Sequence, residues 1–213
     1  MKKLFLLITI SILITAYSNA QNSKSTDTRN ILQIGFKAGI NSSNVYDAQG
    51  EQFVASSKIG FVGGAFVSIP IGTLFGFQPE LLFSQKGFKG TGIMLGNPYS
   101  FTRTTSYIEI PLLLQIKPTT FLTVVVGPQY SYLTKQKDEF TSTSYSTAQE
   151  QEFANDNILK NILSFIGGID FNSNPFVLSL RTAWDLQNNN GDGTSTTPRY
   201  KNVWYQATIG IKI

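Results

Sequence analysis

Residues 32–41 read Leu-Gln-Ile-Gly-Phe-Lys-Ala-Gly-Ile-Asn, so apolar positions alternate strictly with polar or glycine positions. Side chains of a β-strand point to opposite faces in turn, and this segment therefore predicts a strand with one apolar face. Its other face carries Lys37 and Asn41. Seven later segments show the same period. The sequence thus predicts an all-β chain of eight strands: 32–41, 58–69, 74–86, 106–116, 122–132, 163–171, 176–186 and 202–213.

The connections between these strands are alternately long and short. The long ones are 41–57, 87–105, 134–160 and 187–199, and the short ones are 70–73, 117–120 and 172–175. Transmembrane barrels have short periplasmic turns and longer external loops. The pattern predicts an eight-stranded antiparallel up-and-down transmembrane β-barrel with short periplasmic turns and long external loops.

The charged residues of the predicted strands all lie on the non-apolar side. Alternation alone does not say whether that side faces water around a soluble barrel or the lumen of a membrane barrel. An eight-stranded barrel is just wide enough for side chains to fill it, and buried charges must pair. We therefore expect a structural network of lumen charges rather than a catalytic pair of carboxylates. Its members are Lys37, Glu80, Lys86, Glu109, Arg181 and Asp185.

Aromatic residues concentrate at both ends of the predicted apolar faces. On the predicted topology one group lies at the outer rim and the other at the periplasmic rim, which is typical of the two interface girdles of a membrane barrel. Ordinary core packing is the alternative. The outer group is Tyr130, Tyr132, Trp184 and Tyr205, and the periplasmic group is Phe75, Phe77, Phe171 and Phe176.

The N-terminal segment resembles an export signal. Lys2 and Lys3 precede an apolar run over residues 4–14, and Ser18-Asn19-Ala20 follows. The run is too short for a membrane anchor, the alternative, because spanning needs about 20 residues. We expect a signal peptide over residues 1–20 with cleavage between Ala20 and Gln21. A periplasmic tail over 21–30 and a barrel domain over 31–213 complete the predicted organisation.

Composition excludes several functions. The chain has neither cysteine nor histidine, which rules out disulfides, thiol nucleophiles, a Ser-His-Asp triad and histidine metal sites. A net charge of +4 is too small and too dispersed for nucleic acid. Residues 187–198 contain Asn and Asp but lack the ligand spacing of an EF-hand. We predict no enzyme, no catalytic, cofactor-binding or metal residues, and no cofactor.

Two local features carry separate expectations. Pro79 and Pro111 fall within predicted strands, where proline removes a hydrogen-bond donor, so we expect a bulge or local widening at each. Residues 150–160 are expected to form a short helix above the sixth predicted strand.

Three segments resemble the PorT-like outer-membrane β-barrel family typical of Bacteroidetes. They are 35–41 (Gly-Phe-Lys-Ala-Gly-Ile-Asn), 77–87 (Phe-Gln-Pro-Glu-Leu-Leu-Phe-Ser-Gln-Lys-Gly) and 107–114 (Tyr-Ile-Glu-Ile-Pro-Leu-Leu-Leu). The resemblance covers nearly the whole chain after the export signal. It implies an eight-stranded barrel in the outer membrane and brings no catalytic motif. The founding member of the family is linked to protein secretion and gliding, but most relatives have no assigned activity. The chain departs from many outer-membrane barrels by ending in Ile213 rather than an aromatic residue.

Four functions follow from these observations. The leading hypothesis is a structural or interaction barrel of the cell outer membrane. On this hypothesis the protein contacts outer-membrane lipid, has an envelope or secretion protein as its candidate partner, does not bind nucleic acid, and is monomeric. The second is a secreted lipocalin-like binder of an apolar ligand, whose apolar face would point inward. An outer-membrane enzyme and a narrow channel are the remaining alternatives.

Overall fold

The computed structural model describes residues 27–49, 54–94, 97–142, 146–151, 159–190 and 199–213. Within these ranges the secondary structure is nine β-strands, and no helix could cross a membrane. The strands are β1 Gln33–Gln49, β2 Val54–Ile71, β3 Phe75–Met94, β4 Asn97–Ile116, β5 Leu122–Ser142, β6 Ser146–Gln151, β7 Asn161–Ser173, β8 Phe176–Asp185 and β9 Arg199–Lys212. The predicted export signal and its cleavage site at Ala20 and Gln21 lie outside the described residues.

Eight of the strands form a closed antiparallel ring. Each pairs with its neighbours in the chain, except that β5 pairs with β7 across the short strand β6. The pairing of β1 with β9 completes the ring and places Ile40 opposite Ala207. In the described part of the chain β6 pairs only with β5. The predicted eight-stranded up-and-down barrel is therefore confirmed.

The apolar faces of the strands point outward. On β1, Ile34, Phe36 and Ile40 are 47%, 60% and 53% exposed, whereas Lys37 and Asn41 are 4% and 0% exposed. The same inversion holds along the other barrel strands. A soluble lipocalin-like barrel would bury its apolar face, so this orientation contradicts the secreted-binder alternative and fits a barrel in lipid.

Both predicted aromatic girdles lie on the outward face. The outward apolar faces together form a belt around the barrel. Near its outer end the exposed aromatic residues are Tyr130, Tyr132 and Tyr205, and near the turns at the other end they are Phe75, Phe77, Phe171 and Phe176. Trp184 is half-buried because its ring packs against Phe165, with centroids 5.5 Å apart.

Most of the predicted external loops are strands instead. Residues 41–49, 87–94, 97–105, 134–142 and 146–151 belong to β1, β3, β4, β5 and β6. Above the apolar belt both faces of a strand meet polar surroundings, so the alternation that marks a strand fades. Threonine and aromatic residues nevertheless keep their preference for pleated pairing. Of the loop predicted at 187–199, only residues 187–190 are described outside a strand.

The extended parts of five strands form what we name the external ribbon, residues 54–57, 88–94, 97–105, 135–142 and 146–151. Its outward positions are polar, as at Lys89, Ser100 and Thr141. The predicted helix over 150–160 is wrong at its start, because Glu150 and Gln151 pair with β5 as part of β6. The remainder of that helix falls mainly on residues that are not described.

The two prolines cause no bulge, but each adjoins a gap in the strand pairing, which agrees with the other part of the expectation, a local widening. Pro79 lies opposite Leu112, and Leu82 lies opposite Glu109, so the β3–β4 register is the same on both sides of the intervening gap in pairing. Loss of the proline donor interrupts the ladder without shifting it. Bulges occur elsewhere, on β2 between Ser57 and Val62 and on β5 at Thr134, opposite Ser106 and Tyr107.

The lumen contains apolar side chains as well as charges. Trp204 packs with Leu113, Val125, Ile166 and Ala183 in a cluster that is at most 1% exposed. Val62 and Phe66, which break the alternation of β2 in the sequence, also point inward and are buried. The lumen is thus packed like the core of a small soluble protein, around a set of buried polar groups.

One glycine makes room for this packing. A Cβ atom at Gly35 would lie 2.4 Å from the ring of Phe66 and 2.6 Å from the carbonyl oxygen of Ile211. Real Cβ atoms do not approach other heavy atoms that closely, so only glycine lets β1 lie flat against this ring.

Candidate functional site: the filled lumen and its periplasmic mouth

The lower lumen holds a four-residue ionic cluster. Lys37 of β1 donates to the carboxylate of Glu80 on β3, and both side chains are 1% exposed. Arg181 of β8 lies 2.6 Å from the carboxylate of Asp170 on β7 and 4.0 Å from that of Glu80. Two cations and two carboxylates therefore share one buried volume and cancel in charge. Gln78 adds a 2.6 Å hydrogen bond to Glu80.

The middle lumen is closed by a second ion pair. Lys86 of β3 lies 2.6 Å from Glu109 of β4, with side chains 1% and 0% exposed. The ammonium of Lys86 also lies 3.2 Å from the ring centroid of Trp204 and 5.0 Å from that of Tyr107. A cation over a desolvated aromatic face is stabilised by roughly 2 kcal/mol. This arrangement satisfies a buried lysine with one carboxylate and two rings.

Asp185 is held by hydrogen bonds rather than by a cation. Its carboxylate accepts a 2.7 Å bond from the hydroxyl of Ser164 and bonds of 3.1 and 2.5 Å from the backbone and side-chain amides of Asn202. Among the described residues no lysine or arginine lies within 4 Å of it. These bonds occupy both carboxylate oxygens of Asp185, so the buried group is not left without polar partners.

The outer end of the lumen is capped by a cluster that the sequence analysis missed. Arg103 of β4 donates to both carboxylate oxygens of Asp138 on β5, at 2.8 and 2.9 Å. Phe88 and Tyr200 pack edge to face beside them, with ring centroids 5.2 Å apart. The signal was present in the sequence, because Arg103 lies two residues from both Phe101 and Thr105 and therefore shares a strand face with them.

The other end of the lumen opens into a cavity of about 220 Å³, which we name the periplasmic pocket. It lies at the end of the barrel with the short turns, the end that faces the periplasm in outer-membrane barrels. Arg29, Lys117 and Lys212 are among the residues that line it. Burial lowers the pKa of Lys117, and the Arg29 guanidinium holds the pKa of exposed Asp27 at about 2.

The six predicted network residues thus all point into the lumen, but they do not form one network. Lys37, Glu80 and Arg181 meet in the lower cluster, Lys86 and Glu109 form the middle pair, and Asp185 stands apart. Asp170 and Lys212 were recognised in the sequence only as charges on the inward face. No group of three or more acidic residues that could hold a metal ion occurs in the described ranges.

Comparison with known proteins identifies the family of this barrel. The family model described as "Outer membrane protein beta-barrel domain" matches residues 19–191. The chain belongs to this family. The protein is accordingly an outer-membrane β-barrel, and the predicted location in the cell outer membrane is confirmed. No curated protein matches the sequence of this barrel significantly.

Several solved barrels are similar in structure at very low sequence identity. Ail, the attachment invasion locus protein of Yersinia pestis, is 12% identical with a TM-score of 0.47 over 85% of this chain and 98% of its own. OprG from Pseudomonas aeruginosa is 14% identical with a TM-score of 0.40 over 85% and 95%. The outer membrane protease OmpT from Escherichia coli is 9% identical with a TM-score of 0.40 over 91% and 100%.

Proposed function

We propose that this outer-membrane barrel is a closed, non-conducting and non-enzymatic protein of the PorT-like type, and that its external ribbon contacts an envelope or secretion protein. The observation that carries the proposal is the filled lumen. Ion pairs, aromatic rings and an apolar cluster occupy successive levels from Asp170 to Arg103. The surface that remains available for interaction is the external ribbon, which extends beyond the apolar belt.

The lumen chemistry argues against transport and catalysis. An ion that enters would have to separate pairs such as Lys86 and Glu109, and breaking a buried pair costs about 3–5 kcal/mol. Glu80, Glu109 and Asp170 each lie against a cation, and Asp185 accepts hydrogen bonds from Ser164 and Asn202, so these four lumen carboxylates already have partners within the barrel. Ser164 bonds directly to Asp185 with no imidazole between them, because the chain has no histidine.

The assignment to the PorT-like type draws on where the resembling segments lie. Residues 77–87 and 107–114 occupy adjacent strands, β3 and β4, and residues 35–41 lie on β1. Together they contribute Lys37, Glu80, Lys86 and Glu109, the four charged residues of two lumen ion pairs. The segments on which the resemblance depends therefore supply two of the ion pairs that fill the barrel.

Planar-bilayer recordings test the closed lumen. We expect no single-channel steps from the refolded protein, even at high voltage and molar salt. A matched variant, Lys86→Ala with Glu109→Ala, removes one ion pair and serves as the positive control for partial opening. Regular conductance steps from the unaltered protein would refute the closed barrel.

Site-specific photo-crosslinking in cells tests the interaction role. A crosslinker at Thr141 of the external ribbon should yield a discrete protein adduct, whereas one at Leu180 of the lipid-facing belt should not. A shortened chain supplies the second readout. Gln136 and Gln151 are paired neighbours, so residues 137–150 can be replaced by an Asn-Gly turn that closes the hairpin. We expect adducts at other ribbon positions, such as Thr91, to disappear in that variant.

The barrel of the shortened variant must remain intact for the comparison to count, and slower gel mobility after boiling reports this. Equal adducts from Thr141 and Leu180, or adducts unchanged by the shortening, would contradict ribbon-mediated contact. Monomeric behaviour, the other part of the proposal, predicts adducts that do not contain a second copy of this chain.

The proposal also includes the export signal over residues 1–20. Intact mass measurement of protein purified from the outer membrane should give a chain that begins at Gln21. A chain that still contains residues 1–20 would refute cleavage between Ala20 and Gln21.

A further inference from the structure

The cations of the periplasmic pocket differ from the other cations inside the barrel. Lys37, Lys86, Arg103 and Arg181 each lie within 4 Å of a carboxylate. In the described part of the chain, neither Lys117 nor Lys212 has such a partner. Burying unpaired charge is costly, so two lysines that share one pocket without a carboxylate require an explanation.

The contacts that these two lysines do make are with neutral oxygens. Lys117 donates to the backbone carbonyl of Arg29 at 3.3 Å and to the hydroxyl of Ser68 at 3.4 Å, both long bonds. Lys212 donates to the side-chain carbonyl of Asn172. Neutral acceptors satisfy hydrogen bonds but do not pair the positive charge, which for Lys212 is offset only in part by the attraction of Asp170 at longer range. Each ammonium has three donors, so each retains bonding capacity.

The remaining lining of the pocket is mostly polar, with Phe121 and Phe176 as its apolar members, and it also lacks a carboxylate. Ser68, Gln115, Thr123 and Asn172 line its walls, and no aspartate or glutamate is among the lining residues. Arg29 contributes a third cation, whose charge Asp27 offsets through a 2.7 Å contact outside the pocket lining. Asp170 lies deeper in the lumen and is already paired with Arg181. The pocket thus has an excess of positive charge.

We propose that the periplasmic pocket binds a phosphate group, held between the ammonium groups of Lys117 and Lys212 with Arg29 at its rim. Charge-assisted bonds from lysine and arginine to phosphate are about twice as strong as neutral ones. A cavity of about 220 Å³ has room for a phosphoryl group and part of its ester, since about 10–15 Å³ suffices for one water molecule. The phosphate belongs either to a free periplasmic compound or to a lipid headgroup of the inner leaflet.

Calorimetry on the full-length protein in phosphatidylcholine nanodiscs tests the free-phosphate source, with sodium pyrophosphate as the probe at constant ionic strength. The K117Q/K212Q variant should weaken binding by about tenfold or more. The matched control is K58Q/K89Q, which makes the same change in net charge at the other end of the barrel and should leave the affinity unchanged. The K117R/K212R variant keeps both charges and should retain binding.

Nanodiscs that contain phosphatidylglycerol test the lipid source, with native mass spectrometry to count retained lipids. Lipid retained by the unaltered protein but lost in K117Q/K212Q identifies a headgroup site, whereas pyrophosphate binding lost in the same variant identifies a site for free phosphate. Gel mobility before and after boiling shows whether K117Q/K212Q folds. If it does not, the single variants K117Q and K212Q replace it, and each should weaken pyrophosphate binding by about threefold.

Two results would overturn the proposal. One is the absence of both pyrophosphate binding and specific lipid retention by the unaltered protein. The other is binding that K117Q/K212Q and K58Q/K89Q weaken equally, which would show a general charge effect rather than a site.

Discussion

Replacing Glu109 by alanine tests how the middle lumen is stabilised. The carboxylate lies 2.6 Å from Lys86, and both side chains are at most 1% exposed, so solvent cannot take over its role. Loss of one partner of a buried pair costs about 3–5 kcal/mol. The rings of Trp204 and Tyr107 remain near the ammonium and recover up to about 2 kcal/mol. With the full contribution of the rings, we expect Glu109→Ala to lower the free energy of unfolding by about 1–3 kcal/mol.

The double variant Lys86→Met with Glu109→Met separates the worth of the pair from the cost of an orphaned charge. Replacement of a buried ion pair by apolar residues is often neutral, so the double variant should lie within about 1 kcal/mol of the unaltered protein. Urea unfolding of the barrel refolded in lipid vesicles gives both values, with exposed Lys89→Met as the control, expected within about 0.5 kcal/mol. A cost below about 1 kcal/mol for Glu109→Ala would refute the reasoning. So would a double variant whose cost equals the sum of the costs of Lys86→Met and Glu109→Met measured singly.

Three further substitutions, one of them with a matched control, test other parts of the barrel by the same unfolding assay. Leu180→Arg on the lipid-facing belt should cost about 2–4 kcal/mol and Ser100→Arg on the external ribbon close to nothing; equal costs would mean that the belt does not face lipid. Gly35→Val should cost about 1–3 kcal/mol or more because its side chain would overlap an aromatic ring and a backbone carbonyl, and an unaffected variant would contradict the close approach. Arg103→Lys should be destabilised by about 1.5–3 kcal/mol because lysine cannot bind both oxygens of Asp138, and unchanged stability would show that the fork geometry is unimportant.

The barrel could be predicted from the sequence because its belt obeys a simple period. Every second residue in the belt segments of β1 and β9 must be apolar because it contacts lipid, and the amino-acid sequence shows this alternation directly. The external ribbon could not be predicted in the same way. Residues 100–105, Ser-Phe-Thr-Arg-Thr-Thr, have no lipid to face, and their polar composition is shared by loops.

The inward face was predictable, but the partners on it were not. The position of Asp185 in the alternation places it in the lumen, as it does Lys37 and Glu80. Which inward residues meet depends on their level along the barrel axis, and that level is set by the stagger between strands. Residues far apart in sequence such as Arg181 and Glu80 come together only through this stagger, whereas Asp185 is brought to Asn202 instead.

The pairing of the first strand with the last has a consequence for biogenesis. Residues 35–46 meet residues 201–212, so this seam can form only after nearly the whole chain has been made and exported. Until then β1 and β8 each present a row of unpaired backbone groups, which hydrocarbon does not tolerate. Stable membrane integration therefore has to await the final strand. A chain that stops before residue 199 should accumulate in the periplasm as a substrate for chaperones and proteases.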